Sequence, residues 1–139
     1  MKLKIHLPKE LEEKYYEIES TFGDVAQDWK RYNDEIIPED EKFAQDIINF
    51  LIEVVDYVGN NFEKLDLVKY KDFLAYYYMH FYYGPNGDCH NYLDFDESIN
   101  GEGIADFFWE LRKDEDSLST RKQLQVIKDK LMKLLKEFD

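Results

Sequence analysis

The chain has 139 residues, 44% of them hydrophobic and 17% aromatic, and sets 31 acidic against 18 basic side chains for a formal net charge of −13. That length suits one domain over residues 1–139 with one core, and so many apolar rings exclude a disordered acidic tail. The carboxylate excess excludes a surface made to bind nucleic acid or an anionic membrane directly, and no apolar run approaches the ~20 residues of a membrane span. One cysteine, Cys89, cannot form an intrachain disulfide, and the first residues lack the apolar stretch of a signal peptide. The expected compartment is therefore a reducing cytoplasm.

At the N-terminus Leu3, Ile5 and Leu7 alternate with Lys2, Lys4 and His6, the pattern of a short strand. Pro8 suits a first helical turn. Leu11, Tyr15, Ile18 and Phe22 then recur at spacings of four, three and four, which predicts one helix with a single apolar stripe, ended by Gly23. Asp24 can cap a short second helix that places Val25, Trp29 and Tyr32 on one face. Pro38 and the acids at 39–41 open the clearest helix. Its inner stripe is Phe43, Ile47, Leu51, Val54 and Val58, widened by Ile48, Phe50 and Val55, with Gly59 at the position just past its end.

A further helix is expected from about Asp66 to Tyr83, burying Leu67, Tyr70, Phe73, Leu74, Tyr77 and Phe81. Successive helical residues are ~100° apart, so Tyr76, Tyr78, Tyr82 and Tyr83 cannot all share that face. Tyrosine pairs an apolar ring with a polar tip and is enriched at interfaces, which makes these four candidate contact residues. Gly84-Pro85-Asn86-Gly87 stops the helix. Irregular chain follows, and a short helix is expected over Ile104–Leu111. Thr120 to Gln123 has the spacing of a capping box and would start a last helix carrying Leu124, Ile127, Leu131, Leu134 and Phe138. The expected fold is an all-α bundle of five or six helices, with or without the short N-terminal strand.

Motifs for chemistry are sparse. Cys89 and His90 are adjacent, and on extended chain neighbours point to opposite sides. One cysteine and three histidines, without zinc-ligand spacing, give no zinc site. Asp96, Ser98, Asn100 and Gly101 match the first half of an EF-hand loop, but Phe107 stands where the bidentate glutamate belongs. We expect no catalytic residue, metal or cofactor.

The segment Asn86-Gly87-Asp88-Cys89-His90-Asn91-Tyr92-Leu93 resembles the N-G-G-F-H-Q-Y-F signature of a family of small acidic helical proteins that includes a bacterial DNA mimic. Asn86, Gly87, His90 and Tyr92 match; Asp88 and Cys89 depart from it. The resemblance covers eight to twenty residues. It implies a helical fold with carboxylates arranged like duplex phosphates, and no catalytic residue.

Charge is unevenly spread. Residues 121–139 hold six cations and three acids, so the first 120 residues carry −16. Two acidic segments stand out, Glu10 to Glu41 and Asp88 to Asp116. The leading expectation is an acidic inhibitor of the DNA-mimic, anti-restriction, anti-CRISPR or toxin-immunity type. Its partner would be a basic protein, such as a nucleic-acid-binding protein, a nuclease or a toxin. The expected contact residues are Asp94, Asp96, Glu97, Glu102, Asp106, Asp114, Glu115 and Asp116, with Tyr78, Tyr82 and Tyr83. The alternatives are an adaptor domain with a tyrosine-rich surface, which also allows self-association, and an enzyme using carboxylates or a metal.

Overall fold

A computed structural model describes residues 3–25, 38–83 and 103–137. These form five α-helices and one short 3-10 turn, with no strand among the described residues. The helices are α1 (Lys9–Val25), α2 (Pro38–Asn60), α3 (Leu67–Tyr83), α4 (Ile104–Lys113) and α5 (Ser117–Lys136). The all-α expectation holds.

Helix α2 is the centre of the bundle. It packs on α1, α3 and α5, while α4 bridges α3 and α5. Its predicted stripe is buried throughout: Phe43, Ile47, Leu51, Val54 and Val58 are each at most 3% exposed. Ile48, Phe50 and Val55 are buried as well, because three neighbours demand a wider apolar face than one would. Each such side chain contributes ~1.5–3 kcal/mol on burial. The described helices share this one core.

The ends of the elements differ from expectation in instructive ways. Leu3–Leu7 is not a strand. Leu7 is buried, and Leu3 and Ile5 pack half-buried on the core. The Tyr70 hydroxyl donates to the His6 carbonyl and pins this segment over α3. Pro8 opens α1, its carbonyl accepting from the Glu12 N–H at 2.9 Å. Gly23 does not end α1, which runs on to Val25. One glycine lowers helix propensity by ~1 kcal/mol and does not by itself stop a helix. Asp24 and Val25 thus belong to α1, and the rest of the predicted second helix lies outside the described residues.

Gly59 is inside α2, which ends one residue later. The closing contacts come from Asn61, whose side-chain amide donates to the Tyr57 carbonyl at 2.9 Å and whose N–H reaches the same oxygen at 3.1 Å. Helix α5 begins three residues before Thr120. Asp116 is its N-cap, accepting from the Leu118 N–H at 3.0 Å and the Ser119 hydroxyl at 3.1 Å. Thr120 lies a turn inside, with its hydroxyl donating back to the Asp116 carbonyl at 3.0 Å. Aspartate caps as well as threonine does, and the earlier residue gives the longer helix.

Candidate functional site

The sequence-predicted contact residues separate into three groups. Asp94, Asp96, Glu97 and Glu102 lie outside the described residues, as do the side chains of Tyr82 and Tyr83. So do Cys89, His90 and the half EF-hand pattern at Asp96. Asp114, Glu115 and Asp116 gather at the α4–α5 corner, whereas Asp106 lies in the first turn of α4, at its other end. Tyr78 is a correction. It is 0% exposed, with its ring 5.0 Å from that of Phe108, and it cannot meet a partner. The reason is that α3 lies between α2 and α4, so two of its faces are covered where one was expected.

The corner acids are partly committed to structure. Asp114 accepts from the Asp116 N–H at 2.8 Å, and its carbonyl accepts from the buried Lys71 ammonium of α3. Asp116 is held below the ordinary carboxylate range, chiefly by the Leu118 N–H and then by the Ser119 hydroxyl. Glu110, Lys113, Asp114, Glu115 and Asp116 line an open hollow of about 530 Å³ here. Asp106, Glu110, Glu115 and Asp116 stay exposed.

Beside the corner stands an arrangement the sequence did not single out. Tyr76 of α3 is 54% exposed. The Trp109 ring of α4 meets it edge-to-face at 5.4 Å and 89°. The Arg112 guanidinium lies 4.6 Å from the Tyr76 centroid and 4.8 Å from that of Trp109. Its Nε donates to Asp72 of α3 at 2.8 Å. The only sequence signal was spacing: Asp72 and Tyr76 are one turn apart, as are Trp109 and Arg112, so each pair shares a helix face. Nothing in the sequence brings the two faces together. Asp106, three residues before Trp109 and so on the same face of α4, is exposed.

A polar knot sits inside the aromatic core between α1 and α3. The Tyr15 and Tyr77 rings are 5.4 Å apart, and both tyrosines are buried. The Tyr15 phenol is pushed up to about 12, first by burial and then by the Glu19 carboxylate. Burial, followed by Glu19, raises Tyr77 further. The Tyr77 hydroxyl makes no hydrogen bond of good geometry among the described residues. Burial lowers His80, against an opposing pull from Glu19. At neutral pH the two phenols therefore remain protonated and His80 uncharged.

Between α1 and α2 runs a groove of about 420 Å³, floored by Ile18, Phe43 and Phe50. The Lys14–Glu53 ion pair spans it at 2.6 Å. Among the described residues no group of three or more His, Cys, Asp or Glu side chains is placed to hold a metal ion, and no helix is long and apolar enough to cross a membrane.

Six of the 18 basic residues lie on α5. Arg121, Lys122, Lys133 and Lys136 are exposed, while Lys128 pairs with Asp56 of α2 at 2.8 Å. The outer side of α1 has the opposite sign, with Glu10, Glu12, Glu13 and Glu17 all exposed. No protein-family model, curated protein or solved structure matches the chain.

Proposed function

We propose that this protein is a non-catalytic binding protein of a reducing cytoplasm, and that its acidic faces block a basic, nucleic-acid-binding protein. The observation that carries the reading is the outer side of α1. Glu10, Glu12, Glu13 and Glu17 are exposed on a helix whose inner side, at Leu11, Tyr15 and Ile18, is anchored in the core. At 1.5 Å of rise per residue these four acids give about one charge per ~3.5 Å of axis, within a factor of about two of the one per ~1.7 Å of a DNA duplex. Lys9, exposed on the same side, offsets one of these charges, while Lys14 turns to Glu53 of α2. Carboxylates carried on a rigid helix cost little to order on binding, and they would occupy a channel evolved for phosphates.

The Tyr76–Trp109 patch supports the same reading from a different side. Tyrosine, tryptophan and arginine are the residue types that dominate interface energetics. A self-associating adaptor would also use such rings, but Asp106 on the Trp109 face of α4 and the net charge of −13 favour a basic partner over a second acidic copy.

The test is capture of partners from the native host on the immobilised protein, identified by mass spectrometry, with elution by salt and competition by duplex DNA. A basic DNA-binding partner released by both is expected. Reversing Glu10, Glu13 and Glu17 to lysine should slow association more than it speeds dissociation, because exposed charges mainly steer encounter. A partner indifferent to salt and DNA would replace this reading with the adaptor.

A further inference from the structure

Resting on that reading, we propose that Tyr76, Trp109 and Asp72 form a seat for guanidinium groups, and that an arginine of the basic partner enters it by exchange with Arg112.

The chain itself shows what the seat holds. Two rings set at 89° offer their electron-rich faces to one cation, 4.6 and 4.8 Å from their centroids. A carboxylate meets the same cation at 2.8 Å. Stacking faces plus a carboxylate suit the flat, weakly hydrated guanidinium better than the compact, strongly hydrated ammonium of lysine. At present the occupant is internal. The seat is open to solvent, with the Tyr76 residue 54% exposed and the Asp72 side chain 44%. The exposed carboxylate of Asp106, one turn before Trp109 on the same face of α4, would draw a cation toward the seat.

Exchange is favoured over addition because a second guanidinium beside Arg112 would meet like charge, whereas replacement keeps Asp72 paired. Arg112 is a tethered competitor and so has a high effective concentration. It lowers the partner's apparent affinity by the fraction of time that it fills the seat. The patch is thus a latch that opens only for a ligand already held nearby by the acidic faces.

The experiment uses the full chain with Trp29→Phe, so that Trp109 is the single tryptophan reporter. The probes are an arginine nonapeptide and its lysine counterpart. The parent should bind the arginine peptide more tightly than the lysine peptide, with a change in Trp109 emission. If Arg112 fills the seat ~90% of the time, Arg112→Ala and the bulkier Arg112→Gln should bind the arginine peptide about tenfold more tightly. Asp72→Asn should abolish the preference for arginine. The exchange is overturned if both Arg112 variants fold and bind no more tightly, or if neither folds, since Arg112 is then a structural tie. Equal binding of the two peptides overturns the seat and leaves the acidic binding reading standing. Binding of neither peptide removes both.

Discussion

Two tyrosines of one helix test what a buried hydroxyl is worth. Tyr70 donates to the His6 carbonyl and so holds the N-terminal segment on the core. Tyr77, two turns along the same face, is buried without a well-formed hydrogen bond. A net hydrogen bond is worth ~0.5–1.5 kcal/mol, while an unsatisfied buried hydroxyl costs energy that its removal returns. Urea unfolding should therefore show Tyr70→Phe destabilised by about 1 kcal/mol and Tyr77→Phe unchanged or more stable. An equal loss in both would mean that Tyr77 has a partner as good as His6. Neither distinction was legible in the sequence. Both residues lie on the predicted buried stripe, and helical spacing says where a ring points but not what its hydroxyl meets across the interface. Tyr78 went astray for a related reason, since periodicity assigns a helix one buried side and cannot count its neighbours.

At the scale of elements, the spacing of apolar residues was a reliable guide and the end signals were not. All five stripe residues of α2 are buried, because a run of matches at helical spacing leaves one consistent solution. Gly23, Gly59 and Thr120 each suggested a boundary, and each turned out to lie inside a helix. A terminus depends on which nearby group satisfies the last amides and carbonyls, and Asp116 and Asn61 fill that role here. Gly59 is exposed, and a Cβ there would meet nothing within 4 Å. Gly59→Ala should raise stability by ~0.4–1 kcal/mol through the unfolded chain's lost freedom. Leu51→Ala, at the centre of the same helix, should cost ~2–5 kcal/mol. Denaturant midpoints of the two variants should move in opposite directions; a loss in Gly59→Ala would show that the glycine is needed where it is. Of the candidate site, the acids of the α4–α5 corner could be read from composition. The Tyr76–Trp109–Arg112 patch could not, because its parts are more than thirty residues apart and meet only through the packing of α3 on α4.

For the whole molecule, the sum of charges should outweigh individual pairs. The chain carries −13, and ion pairs between its elements, such as Lys128–Asp56 at 2.8 Å and Arg121–Glu63 at 3.9 Å, are at least partly exposed. Such pairs are worth ~0–1 kcal/mol each, whereas self-repulsion acts among all the surplus carboxylates. Raising salt from 10 to 500 mM shortens the screening length from ~30 Å to a few ångströms, so the melting temperature should rise. A fall would mean that such ion pairs matter more than the repulsion they oppose. The same screening should weaken partner binding, so that conditions which best preserve the isolated fold are those in which it binds least.

The aromatic knot of Tyr15 and Tyr77 also gives the protein an optical clock for its own opening. A phenol absorbs differently once ionised, and burial holds these two above their ordinary value of 10.0. Tyr70 is shifted the same way, chiefly by burial. An unfolded chain releases these protons near pH 10, so the stability they lend is intact below that point and drains away from pH 10 upward, toward about 12 for Tyr15. In a rapid jump to alkaline pH, the accessible phenols should turn to phenolate at once. The buried ones should follow with the time course of the parting of α1 from α3, so that a spectrometer trace of colour alone becomes a record of how fast the bundle comes apart.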